Sequence, residues 1–306
     1  AEEDPWQAIK YYLGNSPFVL LDFILFGVAY GMAMASKINS FPVALLLPLA
    51  VAIRFFDFKK NRRENALPSA FLYLVIAGLV SFISFRLFQP YAFDGPGLFG
   101  IIPNEKWVAN IREIMAQSSG AQDWPPSIQW ANRPVWFSFQ NLTIWGLGIP
   151  LGISAWAGFL WMGWKMLKGE WRKHLLLWAW VAAFFLWQSS AFNPTMRYQL
   201  LIYPGLAIFA GWFFVALWKK VREIKSEVWL QLGKGAVIML TAVAVLGTLA
   251  WAQAFTSIYT RPESRTEASR WIYDNVPGPI TLNYGGGGEV FNQPIPFQYE
   301  ERLSPN

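Results

Sequence analysis

The chain predicts an all-α polytopic membrane protein, and three observations carry that expectation. Seven apolar stretches recur along its 306 residues, at 17–35, 41–56, 67–85, 142–164, 175–192, 200–218 and 236–255. A hydrocarbon core about 30 Å thick takes roughly 17–25 helical residues to cross, close to the length of these stretches. They are apolar all round, whereas a helix lying on a soluble core would be striped. The basic residues crowd into alternate connecting loops, the bias that orients spans with Lys and Arg on the cytoplasmic side.

In chain order, the segment 1–16 precedes the first span and is assigned to the cytoplasm. The first three spans lie within 17–86. Asp22 is the one acid well inside a predicted span. An acid in a span is either functional or, one turn from the start, a capping or snorkelling group. Residues 37–40 form a tight outer turn, and the second span, with Pro42 and Pro48, is the shortest. The linker after it holds Arg54, Lys59, Lys60, Arg62 and Arg63; later linkers hold Lys165, Lys168, Arg172 and Lys173, then Lys219, Lys220, Arg222 and Lys225. All three are placed inside. The loop 87–141 is therefore outside, four further spans fill 142–256, and the segment 257–306 is again outside. This puts the N-terminus inside and the C-terminus outside a cytoplasmic (plasma) membrane. Short basic turns between apolar spans are topology signals, so the net charge of +6 makes no case for nucleic acid.

The C-terminal segment reads as the start of a small α/β extracytoplasmic piece, with a strand-like run at 279–283 and four glycines at 285–288. The chain opens Ala1-Glu2-Glu3-Asp4-Pro5 without an initiator Met. The expectation is a C-terminal portion of a longer protein, its outer domain begun but unfinished. With no cysteine there is no disulfide framework, thiolate nucleophile or Cys-based metal site. The only histidine, His174, sits at a predicted membrane edge, and one imidazole without partners makes neither a His-rich zinc site nor a base. No metal-ligating set is predicted.

All the long connections lie outside, where extended loops are usually functional. The loop opens with Gln89-Pro90 and Asp94-Gly95-Pro96-Gly97, a turn signal. Asn104 then caps a helix to about Gln117, with Glu105 well placed in its first turn. Trp107, Val108, Ile111, Ile114 and Met115 share one face of it, the pattern of an amphipathic helix lying in the membrane interface. Beyond it Trp124, Trp130, Asn132 and Arg133 alternate aromatic planes with hydrogen-bonding groups among prolines. Two readings stay open: a cleft in which a sugar's C–H face packs on a ring while its hydroxyls bind amides and charges, or a packed lid or subunit contact.

Three cations run against the inside-positive trend: Lys37 after the first span, Arg86 closing the third, and Arg197 before the sixth. Each alone suits a lipid headgroup. Three at one level suit a shared phosphate, with Arg able to bind it through two donors.

Three stretches resemble the membrane-embedded GT-C glycosyltransferases, in the polyprenyl-phosphate-sugar branch that includes protein O-mannosyltransferases and the lipid A aminoarabinose transferase. Gly27-Val28-Ala29-Tyr30-Gly31-Met32-Ala33-Met34-Ala35-Ser36-Lys37 is similar to a small-residue helix ending in Lys. Asn193-Pro194-Thr195-Met196-Arg197-Tyr198-Gln199-Leu200-Leu201-Ile202-Tyr203-Pro204 resembles the opening of a late helix in that family. Ser269-Arg270-Trp271-Ile272-Tyr273-Asp274-Asn275-Val276-Pro277 resembles the start of its extracytoplasmic domain. The resemblance implies transfer of a sugar from a polyprenyl phosphate carrier to an acceptor at the outer face. Lys37, Arg86 and Arg197 would bind the phosphate, and Trp124, Trp130, Asn132, Arg133 and Tyr198 the sugar or acceptor. A divalent cation would assist. The family's usual base is an acid in its first outer loop; the turn 37–40 holds none, so the catalytic acid is expected upstream and is not assigned. A non-catalytic scaffold subunit with protein partners in a larger membrane complex is the competing expectation.

Overall fold

A backbone in lipid must satisfy its own hydrogen bonds, and the apolar stretches do so as helices. The computed structural model describes residues 14, 16, 18–57, 60–95, 97–276, 280–286 and 289–295. Most of the segment 1–16, and the basic side chains at 59–63, lie outside the described part. Two compact units divide the chain, Ala1–Val245 and Leu246–Asn306.

In the first unit α1 (Leu20–Ser36) opens with Asp22 exposed in its first turn, where a carboxylate complements the helix dipole. A 3₁₀ segment, Ile38–Leu45, carries Pro42 and leads into α2 (Leu46–Asp57) and the 29-residue α3 (Lys60–Phe88). The short hairpin β1 (Phe93–Asp94) and β2 (Ile102–Pro103) follows. Next is α4 (Glu105–Ser119), where the Asn104 side chain accepts from the Trp107 N–H at 3.0 Å and Gly120 closes the helix at φ 81°. The short helices α5 (Pro125–Ile128) and α6 (Val135–Asn141) lead to a π turn, Leu142–Gly146. The expected unbroken helix from 142 is interrupted here. Gly148 takes φ 77°, a conformation glycine adopts without a Cβ penalty, and α7 (Ile149–Lys165) restarts with Pro150 in its first turn. Then come α8 (Trp171–Ser189), a 3₁₀ segment Met196–Ile202, α9 (Tyr203–Val221) and the start of α10 (Glu227–Thr256).

Four helical runs, Ile38–Phe56, Ala66–Phe88, Met196–Val221 and Glu227–Ile272, are long and apolar enough to cross a bilayer, and Leu20–Ser36 is a shorter apolar helix. Large apolar side chains such as Leu25, Leu79, Ile83, Leu160 and Val215 point outward, as lipid-facing residues do and soluble surfaces avoid. The protein is an integral, helical membrane protein.

With lipid no less apolar than leucine, helices associate through close backbone approach at small residues. Gly27 and Gly31 of α1 face α3: a Cβ at Gly27 would lie 2.7 Å from the Ala77 carbonyl oxygen. Ser84 Oγ donates to the Val28 carbonyl at 3.0 Å across the same seam. Gly158 does the same for α7 against α9, where an added Cβ would overlap the Phe209 carbonyl. The larger core forms there, from Leu142, Trp156, Phe184, Ile202, Leu206 and Phe209. A smaller one joins Phe23 to Tyr73 and Ala77.

The second unit holds the end of α10, a 3₁₀ turn at Ser257–Thr260, α11 (Ser264–Asn275) and an antiparallel hairpin. In the hairpin β3 (Ile280–Gly286) pairs with β4 (Glu289–Ile295), Ile280 opposite Ile295 and Gly286 opposite Glu289.

Candidate functional site

Lys37 ends α1 by turning extended, at φ −157° and ψ 112°. Its N–H donates to the Ala33 carbonyl and its own carbonyl accepts from the Ser40 N–H, both at 2.9 Å. Far along the chain, Pro194 keeps Asn193 out of the helical region. Thr195 is still extended, and its carbonyl starts the 3₁₀ turn by accepting from the Tyr198 N–H at 3.0 Å. These two local events set Arg197 and Tyr198 beside Lys37.

Lys37 Nζ donates to the Arg197 carbonyl at 3.4 Å and lies 4.8 Å from the centre of the Tyr198 ring. The Arg197 guanidinium is 5.2 Å from the same ring, and its Nη2 donates to Tyr198 Oη at 3.5 Å. Two cations thus share one aromatic ring, an attraction that each feels individually but that leaves their mutual repulsion in place. Neither has an ion-pair partner among the described residues. Burial, and then the neighbouring Arg197 charge, hold the Lys37 ammonium below the ordinary lysine value. The arrangement lacks negative charge.

Below the pair lies a buried polar layer that sequence reading missed. Gln199, fully buried, donates to Ser189 Oγ at 3.2 Å, and Gln188 donates to the Asn193 carbonyl at 3.3 Å. Asn193 Nδ2 donates to Ser127 Oγ, and Ser138 Oγ to the Pro194 carbonyl, both at 3.4 Å. Three oxygens there lack partners: Asn193 Oδ1, Thr195 Oγ1 and Gln199 Oε1. All can accept a hydrogen bond, so a water or another hydroxyl donor would complete them. The only sequence signal was Gln188-Ser189-Ser190 and Asn193-Pro194-Thr195 between two apolar helices.

Ser127 and Ser138 bracket Trp130, Asn132 and Arg133, three of the residues read as sugar contacts, so that stretch is docked on the 193–195 loop just ahead of Arg197. Within it the structure joins only some of them. Trp130 packs tilted on Phe137 at 6.1 Å, and the Arg133 guanidinium sits 5.3 Å from that ring while donating to the Gln129 carbonyl at 3.3 Å. Trp124 is exposed at the start of α5, and Asn132 is exposed in the left-handed region at φ 58°; neither joins the Phe137 cluster.

Arg86 is elsewhere, and here the sequence expectation is corrected. It is 7% exposed; its Nε donates to the Gly100 carbonyl at 2.7 Å, its Nη2 donates to the Gly97 carbonyl, and its guanidinium lies 5.2 Å from the Phe93 ring. It is taken up by the β1–β2 hairpin, leaving two cations together instead of three. The loop acids are also occupied or apart: Asp94 accepts from Asn104 at 2.7 Å and Glu113 from Gln117 at 3.1 Å.

Two apolar clefts flank the 3₁₀ segment Ile38–Leu45 that follows Lys37. One, of about 420 Å³, lies between α1, α2 and α3 and is lined by Phe26, Tyr30, Met34, Leu47 and Phe82. The other, of about 380 Å³, lies between that segment and α8, lined by Phe41, Leu45, Trp180 and Trp187. No family model, no curated protein and no solved structure matches this chain.

Proposed function

We propose that this chain is a membrane glycosyltransferase of GT-C type, moving a sugar from a polyprenyl phosphate carrier to an acceptor, with Lys37 and Arg197 holding the phosphate. The observation that carries the reading is the meeting of two cations on the Tyr198 ring, with no carboxylate paired to either among the described residues. Such a pair gains most from a ligand with more than one negative oxygen: Arg supplies a planar fork and Lys a point charge. The same charges would neutralise a departing lipid phosphate as the glycosidic bond breaks. An apolar chain beside the headgroup finds a matching surface in the clefts that flank the 3₁₀ segment after Lys37.

In this reading seven helices cross the plasma membrane, the N-terminus is inside, and the cation pair faces outward. Trp130 and Arg133, with Trp124 and Asn132 nearby in sequence, contact the sugar or acceptor. The acceptor hydroxyl needs a base, which is not assigned. The divalent cation implied by the family resemblance finds no cluster of three His, Asp or Glu among the described residues, and no step is given to it. The absence of a carboxylate beside the cation pair among the described residues favours one second reading, a scaffold subunit that binds the lipid without turning it over.

Full-length protein in bilayer discs would be titrated with polyprenyl phosphate and with the corresponding polyprenol. The expected result is phosphate-dependent binding, weakened about 10-fold or more in Arg197→Ala and Lys37→Ala, since a hydrogen bond to a charged group is worth about 1.5–3 kcal/mol. Equal affinity for the alcohol, or unchanged binding in both variants, would overturn the phosphate site. Binding without sugar release from a polyprenyl-phosphate sugar selects the scaffold.

A further inference from the structure

The β1–β2 hairpin does not stand above the end of α3; it folds back along it. The Phe93 ring meets Phe82 at 5.6 Å and Phe85 at 5.7 Å. Phe82 is about 9 Å short of the helix end at Phe88, by the rise of an α-helix. Trp107, in the first turn of α4, also reaches Phe85, at 6.1 Å. The hairpin therefore lies level with the last two turns of an apolar, bilayer-length helix.

At that level its tip is bare. Phe99 is 92% exposed, with Ile101 at 62% and Ile102 at 68%. Ile83, Leu87 and Phe88 at the end of α3 are exposed as well. Irregular backbone does not lie exposed to lipid within the hydrocarbon core, so such a tip belongs at its edge, where protein donors can hold its carbonyls. Arg86 does this: from the last turn of α3 it donates to the carbonyls of both Gly97 and Gly100, the residues around the tip. Asn104 closes the other end, its N–H donating to the Ala92 carbonyl at 2.9 Å and its side chain to Asp94 at 2.7 Å.

We infer that the 93–103 hairpin is a membrane wedge. Phe99, Ile101 and Ile102 dip into the headgroup–acyl boundary beside the end of α3, and Arg86 supplies donors to two tip carbonyls that water would otherwise serve. The occupant of the apolar tip is lipid, because Arg86 and Phe93 hold the hairpin against the end of an apolar helix long enough to cross a bilayer. This assignment stands independently of the sugar-transfer proposal.

The chain has no cysteine, so single sites can be labelled cleanly in the intact protein. Phe99→Cys, Ile101→Cys, Ile102→Cys and, as an exposed control, Lys106→Cys would each carry a nitroxide in vesicles of phosphatidylcholine and phosphatidylglycerol. Collision with oxygen is expected to exceed collision with a water-soluble nickel chelate several-fold at 99, 101 and 102, and the order to reverse at 106. Chelate access at the tip equal to that at 106 would overturn the wedge; so would shielding from both reagents, which means a protein covers it. Arg86→Lys, with one ammonium in place of a fork, should raise chelate access at 99. An unchanged profile in that variant would remove Arg86 as the clamp.

Discussion

Replacing Gly31 by Ala tests the packing that places Lys37. A Cβ at Gly31 would stand 2.6 Å from Ser84 Cβ and 2.9 Å from the Phe85 nitrogen, and closer still to the Ser81 carbonyl, where ordinary contact begins at 3.4 Å. These are backbone or Cβ atoms and cannot swing aside, so α1 must withdraw from α3 by at least about 0.8 Å, the shortfall at Ser84, and by more at the Ser81 carbonyl. That withdrawal loosens the Ser84–Val28 hydrogen bond, now 3.0 Å. Overpacking of this kind costs about 1–3 kcal/mol, against a helix-propensity gain of up to about 1 kcal/mol for Gly→Ala. With the full propensity gain the net expectation is a loss of up to about 2 kcal/mol. Gly78 is the control: nothing lies within 4 Å of its added Cβ, so Gly78→Ala should be neutral or stabilising by up to about 1 kcal/mol. Both are measured as equilibrium unfolding of the full chain in mixed micelles titrated with dodecyl sulfate. If Gly31→Ala is as stable as Gly78→Ala, the close seam between α1 and α3 is wrong.

Tyr198→Phe should retain phosphate-lipid affinity within about 2-fold, because the ring face that holds both cations survives, whereas Tyr198→Ala should lose about 10-fold; titration in bilayer discs separates them. Phosphate-lipid binding should fall as pH rises through the depressed Lys37 value, below the usual lysine value of about 10.4, while Lys37→Arg stays flat over that range. Stability moves the other way in the same window: the unfolded lysine holds its proton more tightly, so the folded chain gains as pH rises. On the acid side, Glu170 is held below the ordinary carboxylate range by its hydrogen bond from Lys165 at 2.8 Å and then by the Lys165 and Lys173 charges. Its contribution is fully present above the unfolded value and is lost as pH falls through the depressed folded one. The unfolding midpoint of Glu170→Gln should lack that acid limb.

The helical ends that the sequence anticipated well are those set by local chemistry. Asn104 caps α4 as its position before Glu105 and Trp107 implied, because an N-cap needs only a short side chain and an N–H three residues on. The 142–164 stretch was read as one helix, and its break was missed because hydropathy averages over Gly148 and Pro150. In the candidate site Lys37 and Arg197 were visible as cations at span ends, and so was Arg86. Nothing local distinguished the one that would be consumed by loop carbonyls from the two that would meet.

What the order of residues alone determined was the solvent. Long, all-round apolar runs and lopsided loop charge leave a helical membrane protein as the stable outcome, since those properties depend on composition over a window and on no distant partner. Only the tertiary structure decided which charges share a ring: Lys37 and Arg197 are 160 residues apart. Their meeting depends on the glycine seam that seats α1 on α3 and on the loop that turns at Pro194. Side-chain encounters across that separation are set by how helices pack, and packing is a property of the whole bundle.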